Sequence, residues 1–194
     1  MTDLFETAFR IVVGEEGGYT RDTRDPGNWT GGAVGAGTVR GTKFGISAAA
    51  FPQLDIAALD LGQAREIYRR RYWDAVRAAL MPPALAVVMF DTAVLTGTSG
   101  AIRVLQQALG VAEDGIWGDQ TSLALELHLG SGRAGADHPL SALCARVLSI
   151  RLMRQSELQT WTVFGQGWIF RVTALPWRMQ DAGIDLLDMT PRGA

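Results

Sequence analysis

The segment from Ala84 to Val94 constrains the fold most, because it is almost wholly apolar and has Asp91 as its one charged residue. A stretch with no polar face is typical of a helix that is buried on all sides. No apolar run in the chain reaches the roughly 18 residues needed to span a bilayer. We therefore predict a central helix over 84–94, and no stable membrane insertion.

Asp91 on this helix needs a partner, because an unpaired carboxylate is costly to bury. Our first interpretation is a structural role, in which Asp91 binds backbone amides or an arginine. Contact with a substrate is the second.

Apolar residues recur at helical spacing along most of the chain, and convincing period-two strands are scarce. The pattern predicts a mainly α fold, with further helices at residues 3–14, from 61 onward, and at 99–109, 119–129 and 140–158. We expect the aromatic residues near the end of the chain to pack there: Trp161, Phe164, Trp168, Phe170 and Trp177.

Residues 19–47 differ in kind, with seven glycines between Gly27 and Gly45 and few large apolar side chains. This composition predicts a loop or a small irregular hairpin. Such a long glycine-rich segment inside a compact domain is typically a binding or catalytic loop.

Composition excludes several classes of function. A formal net charge of -2 over 194 residues gives no basic surface for nucleic acid. The run Arg69 to Arg71 is interpreted as a solvated helix face, with a minor contact to an anionic polymer as the alternative. Cys144 is the single cysteine, so no intramolecular disulfide can form, and its apolar neighbours indicate a buried structural thiol.

The sequence also lacks the residues that a metal-dependent or a nucleophilic mechanism would need. The two histidines, His128 and His138, lie far from the glycine-rich loop, so a zinc amidase or endopeptidase is disfavoured. No serine or cysteine stands in a triad-like arrangement. We predict no metal or organic cofactor.

Two carboxyl groups, one just before the glycine-rich loop and one within it, offer a different chemistry. Glycoside hydrolysis needs a protonated carboxyl beside the leaving oxygen and a second group that activates water or stabilises the transition state. Glu16, at the end of the apolar helix 3–14, is placed to stay protonated. Asp25, in the polar turn Asp25-Pro26-Gly27, should stay ionised.

Three motifs in this region resemble those of the N-acetylmuramidases of glycoside hydrolase family 108, which are related to phage-type lysozymes. They are Glu16-Gly17-Gly18-Tyr19, Asp25-Pro26-Gly27 and Gly41-Thr42-Lys43-Phe44-Gly45-Ile46-Ser47. The likeness continues in Ala64-Arg65-Glu66-Ile67-Tyr68, Tyr72-Trp73, Phe90-Asp91 and Ala93-Val94.

The resemblance implies a lysozyme-like catalytic lobe that cleaves the β-1,4 bond between N-acetylmuramic acid and N-acetylglucosamine. It implies that Glu16, and not Glu15, is the catalytic acid, with Asp25 and Thr42 completing the triad. Contacts to the glycan strand are predicted for Tyr19, Lys43, Phe44, Gly45, Trp73 and Asp91.

Two departures from the family pattern are visible. Residues 28–40 separate the Asp25 turn from the Thr42 motif, so the resemblance requires an inserted loop, and Thr30 stands nearer the expected offset from Glu16. Thr30 therefore remains an alternative to Thr42. Leu95 follows Ala93-Val94, where a polar residue is expected.

The C-terminal part resembles the small helical peptidoglycan-binding domain that accompanies this catalytic family. The resemblance rests on Leu105-Gln106-Gln107-Ala108-Leu109-Gly110, Asp114-Gly115-Ile116-Trp117-Gly118, Thr121 and Phe164-Gly165-Gln166-Gly167-Trp168. We predict a catalytic domain at 1–96, a binding domain at 97–180 and a tail at 181–194.

Acidic residues stand near the N-terminus where a secretory signal would carry positive charge. We expect synthesis in the cytoplasm and action in the periplasm or cell wall after release, with a holin as a possible partner, in a phage-derived lysis module or a toxin-release system. We expect a monomer. The alternatives are a lytic transglycosylase, and a wall-binding or assembly protein without turnover.

Overall fold

The computed structural model describes residues 3–14, 17–130 and 138–190. Within these ranges the α-helices are α1 (Leu4–Val12), α2 (Leu61–Tyr68), α3 (Pro83–Thr96), α4 (Thr98–Leu109), α5 (Asp119–Gly130), α6 (Pro139–Ser156) and α7 (Trp161–Asp181). A π-helical stretch, Arg69–Trp73, follows α2 directly, and β1 (Thr42–Lys43) pairs with β2 (Ile46–Ser47) in a hairpin. The predicted mainly α fold with one small hairpin is confirmed.

The chain divides into two compact units. The first unit comprises Met1–Val12 and Arg70–Ala194, and the second comprises Val13–Arg69. Neither unit coincides with the predicted domains 1–96 and 97–180, which remain a prediction.

Helix α3 is the centre of the first unit. Every residue from Pro83 to Ala93 is buried, and α1, α4, α6 and α7 all contact the helix. Pro83 stands in the first turn, where its missing N–H breaks no hydrogen bond, and Gly97 follows the last turn with φ of 74°. The predicted central buried helix is confirmed.

An aromatic cluster joins α1 to α3. The ring centroids of Phe5 and Trp73 lie 5.6 Å apart, those of Phe5 and Phe90 lie 5.9 Å apart, and those of Trp73 and Phe90 lie 5.6 Å apart. All three pairs meet edge to face, the arrangement that ring quadrupoles favour. The cluster therefore anchors α1 in the core.

Buried Gln106 on α4 organises the turn before α5. Its side-chain nitrogen donates to Asp114 Oδ1 at 2.7 Å and to Thr121 Oγ1 at 3.0 Å, while its oxygen accepts from the Gly115 amide at 2.9 Å. Gly115 has φ of 75°, in the left-handed region. The Gln106, Asp114, Gly115 and Thr121 positions singled out in the sequence thus form one hydrogen-bonded network that fixes this turn.

Helix α7 differs from expectation. Its buried positions are Gly165, Leu175 and Met179, whereas Phe164, Phe170 and Trp177 are 53%, 64% and 69% exposed. The prediction that these three aromatic residues pack the end of the chain is wrong, because more than half of each residue's surface is exposed. Trp168 does contact Trp161 and Phe164, with centroids 6.0 Å apart in each pair.

The second unit is built around the β1–β2 hairpin and α2. Asp60 caps α2 by accepting from the Gln63 amide at 2.7 Å, and Gln63 Oε1 accepts from the Asp60 amide in return. This reciprocal capping box explains where α2 begins. Among the helices that the structure describes, none has the length and apolar character to cross a membrane.

Candidate active site

Glu15 and Glu16 lie outside the described residues, so the site is defined here by the residues that follow them. Gly17 is the first of these, and it packs against the turn of the hairpin. A Cβ added at Gly17 would lie 2.6 Å from Phe44 Cα and 2.9 Å from Phe44 Cδ1. The chain next to Glu16 is thus held directly against Phe44, itself in the left-handed region with φ of 50°.

This contact makes Gly17→Ala a sharp test of the hairpin's role. We expect the added methyl group to displace the hairpin, because overpacking against backbone atoms costs about 1–3 kcal/mol. Thermal unfolding should show the lower stability, and peptidoglycan clearance should fall with it. Gly18→Ala is the matched control, since an added Cβ there has nothing within 4 Å; equal behaviour of the two variants would contradict the packing argument.

Thr42 is paired with the segment that follows Gly17. Thr20 and Thr42 form an antiparallel bridge, in which each amide donates to the other's carbonyl oxygen at 2.9 Å. Gly41 allows the close approach: its φ is 85°, and an added Cβ would lie 2.3 Å from the Thr20 carbonyl oxygen. Among the described residues no hydrogen-bond partner is found for the Thr42 hydroxyl, which is half-buried.

The Asp25 turn lies in the same unit. Asp25 Oδ1 accepts from the Gly27 amide at 2.8 Å and caps the short 3-10 helix Pro26–Asn28. The Gly27 carbonyl oxygen accepts from the Ala49 amide at 3.0 Å, just beyond β2. This bond connects the turn to the hairpin segment and leaves the Asp25 side chain exposed.

Residues 28–40, the predicted insertion, form a closed turn. The Thr30 amide donates to the Thr38 carbonyl oxygen at 3.0 Å, and the Arg40 amide donates to that of Asn28 at 2.9 Å. The two ends of the insertion are therefore neighbours, because its first and last residues are hydrogen-bonded to each other. Thr30 Oγ1 accepts from the Thr38 amide at 2.9 Å. The Thr30 hydroxyl is therefore engaged within the insertion, and this favours Thr42 as the third catalytic group.

A polar groove of about 330 Å³ lies beside Tyr19 in the second unit. The Tyr19 hydroxyl donates to the Arg40 carbonyl oxygen at 3.0 Å, and the ring remains 40% exposed. Lys43 donates to the Ala57 carbonyl oxygen at 3.1 Å and lies 5.5 Å from the centroid of the Phe44 ring. The groove is lined by Tyr19, Arg21, Val39, Arg40, Gln53, Asp55 and Ala57.

Trp73 and Asp91 belong to the first unit, and both are buried. Trp73 is 3% exposed inside the aromatic cluster, a position that favours a packing role. Asp91 is 0% exposed and forms ion pairs with Arg151 at 2.5 Å and with Arg171 at 2.6 Å. The first interpretation of Asp91, a structural partner of arginine, is confirmed.

Arg151 is a buried charged residue that the sequence pattern was not used to predict. Its signal was present, because Leu140, Leu143, Val147 and Arg151 follow one another at helical spacing, and all four are buried. An arginine that continues an apolar stripe needs a buried acid, and Asp91 was the one charged residue of the predicted central helix.

Cys144 offers no nucleophile. Cys144 is half-buried, and desolvation by the surrounding atoms raises the pKa of its thiol to about 12. Very little reactive thiolate therefore exists at neutral pH. We expect labelling by a disulfide reagent at about pH 8 to be at least about 100-fold slower than for a free thiol with a pKa of about 8.5. Unfolding in guanidinium should restore full labelling, and fast labelling of the folded chain would contradict this placement.

Among residues 3–14, 17–130 and 138–190, no group of three or more His, Cys, Asp or Glu side chains could hold a metal ion.

Comparison with known proteins adds independent findings. A family model described as Glycosyl hydrolase 108 matches residues 9–97. The structure is similar to that of SagA from Brucella abortus, with a TM-score of 0.71 and 27% sequence identity, over 93% of this chain and 96% of that chain. No curated protein matches the chain.

The match of residues 9–97 to the glycosyl hydrolase 108 model supports a glycoside hydrolase. Together with the similarity to SagA, it supports the function of a peptidoglycan hydrolase.

Proposed function

We propose that the chain is an N-acetylmuramidase that hydrolyses the β-1,4 bond between N-acetylmuramic acid and N-acetylglucosamine. The observation that carries the proposal is the bridge between Thr20 and Thr42. The bridge holds the Thr42 motif beside Thr20, four residues after Glu16. The hydrogen bond from the Ala49 amide to the Gly27 carbonyl oxygen connects the Asp25 turn to the segment that follows the hairpin.

In the proposed mechanism Glu16 protonates the leaving glycosidic oxygen. Asp25 and Thr42 position the attacking water or stabilise the developing charge. Asp25 suits this role because, among the described residues, one of its oxygens accepts a hydrogen bond, from the Gly27 amide, and its side chain is exposed to solvent. We propose inversion at the sugar, in which a carboxylate activates water on the face opposite the acid.

Contacts to the glycan are proposed for the hairpin and its groove. The exposed ring of Tyr19 offers an apolar face to a sugar, and Lys43, Phe44 and Gly45 lie in or next to the hairpin turn. Polar side chains line the neighbouring groove, as sugar hydroxyl groups require. Trp73 and Asp91 are left out of this set because both are buried.

The proposal extends to the whole chain and its setting. Residues 97–180 would hold the enzyme on the wall, with a catalytic domain at 1–96 and a tail at 181–194. The enzyme would act as a monomer in the periplasm or cell wall after holin-dependent release, from a phage-derived or toxin-release module.

The products of digestion test the reaction. Purified peptidoglycan incubated with the chain should yield muropeptides that end in reducing N-acetylmuramic acid, with the mass of one added water, by mass spectrometry. Anhydro-muramyl ends would indicate a lytic transglycosylase instead. Unchanged glycan chains would indicate a wall-binding protein, and either result would overturn the proposal.

A further inference from the structure

A cavity of about 300 Å³ lies in the first unit, among α3, α4, α6 and α7. This volume is at the lower end of the range of about 300–1,000 Å³ that small-molecule pockets span. Its lining includes Arg151 and Gln155 from α6, Trp168 from α7, and the apolar side chains of Leu95, Val104 and Leu158.

Arg151 lines this cavity and has two donor atoms that no described residue accepts from. Its Nη1 atom donates to Asp91 Oδ2 at 2.5 Å and lies 3.3 Å from Thr92 Oγ1. Its Nε and Nη2 atoms are buried and have no hydrogen-bond partner within residues 3–14, 17–130 and 138–190. These two atoms form one edge of the planar guanidinium, which is the edge that binds a carboxylate through two parallel hydrogen bonds.

The charge balance around Arg151 also favours an anion. Asp91 is shared with Arg171, which donates to Asp91 Oδ1 through Nε at 2.7 Å. Among the described residues, one carboxylate therefore faces two guanidinium groups. The side chains of Arg151 and Asp91 are 0% and 1% exposed. A buried charge that is not fully compensated is destabilising, and a bound carboxylate would neutralise it.

Gln155 supplies the complementary feature. It is 5% exposed, and its Oε1 atom is buried and accepts from no donor in the described part of the chain. It lies one turn beyond Arg151 on the same face of α6, so the two side chains are neighbours. A ligand for this cavity needs a carboxylate to bind Arg151 and an N–H group to donate to Gln155. The C-terminal residue of a peptide carries both groups next to each other.

We propose that this cavity binds the C-terminal residue of a short peptide, with its carboxylate on Arg151 and its backbone N–H on Gln155. The apolar side chains and the ring of Trp168 leave room for a small apolar side chain such as that of alanine. The natural source would be the stem peptide of peptidoglycan, an assignment that rests on the proposed function.

Calorimetric titration of the full chain with D-alanyl-D-alanine tests the proposal. The free dipeptide should bind, and its C-terminal amide should bind at least about tenfold more weakly, since hydrogen bonds to a charged group are the stronger ones. Acetate, which lacks the N–H, should also bind at least about tenfold more weakly. Equal binding of dipeptide and amide, equal binding of acetate, or no binding of the dipeptide would each overturn it.

Two variants locate the ligand. Gln155→Leu keeps the size of the side chain, leaves Arg151 and Asp91 in place, and should weaken dipeptide binding about 2- to 10-fold without lowering the melting temperature. Val104→Phe should fill the cavity and abolish binding. Full affinity in both folded variants would overturn the site.

Dipeptide binding needs no turnover, so the two proposals fail separately. A chain that releases muropeptides but does not bind the dipeptide overturns only this inference. A chain that binds the dipeptide but leaves the glycan intact overturns only the proposed muramidase activity.

Discussion

Glu16→Gln is expected to abolish the clearance of a peptidoglycan suspension while the chain folds as before. The amide has the shape of the acid but cannot give a proton to the leaving oxygen, and loss of a general acid typically lowers the rate about 10²- to 10⁴-fold. Turbidity measured over time on purified peptidoglycan reports the rate. Circular dichroism and thermal unfolding report the fold.

The neighbouring Glu15→Gln is the matched control, because it makes the same glutamate-to-glutamine change in the same segment. We expect it to clear peptidoglycan at close to the rate of the unchanged chain. Clearance by Glu16→Gln, or loss of clearance only in Glu15→Gln, would move the proton donor away from Glu16.

Of the substitutions proposed, Asp91→Asn is expected to cause the largest decrease in the free energy of unfolding. The substitution keeps the shape of the side chain but leaves Arg151, which is 0% exposed, without its counter-ion. Removing one partner of a buried ion pair typically costs about 3–5 kcal/mol. Chemical unfolding, followed by circular dichroism, should show this decrease in the free energy of unfolding.

Asp22→Asn is the control for a carboxylate that is paired at the surface. Arg24 donates to Asp22 at 2.7 Å and lowers the pKa of that carboxyl to about 2, so the pair is charged at neutral pH. Both side chains are largely exposed to solvent, and exposed pairs contribute little. We expect no measurable change in stability, and equal effects of the two substitutions would contradict the role given to the Asp91 pairs.

The elements that sequence predicts well are those whose signals are local. Apolar spacing alone gave α3 and α4 to within two residues of their observed ends, because a helix that packs on a core must present one face every turn. The hairpin was predictable for a similar reason, since the glycines around Thr42 allow the turns that it needs. The start of α2 also depends on a local signal, because the two residues of its capping box, Asp60 and Gln63, are close together in the sequence.

The features that sequence did not predict depend on long-range contacts. Arg151 is 60 residues from Asp91 along the chain, so only the packing of α6 on α3 reveals the pair. The aromatic residues of α7 were expected to pack the end of the chain, but which positions of a helix are exposed depends on the helices around it. The insertion at 28–40 shows the same limit, because its closure relies on backbone bonds such as that from Arg40 to Asn28.

The placement of α1 affects the order in which the chain can fold. Its buried side packs against α3 and α7, and Arg171 donates to the Val12 carbonyl oxygen at 3.0 Å. These partners are made only after the whole of Val13–Arg69 has been synthesised. The apolar side of α1 therefore stays exposed to solvent while the chain is being synthesised. The first unit can complete its packing only after α7 has left the ribosome.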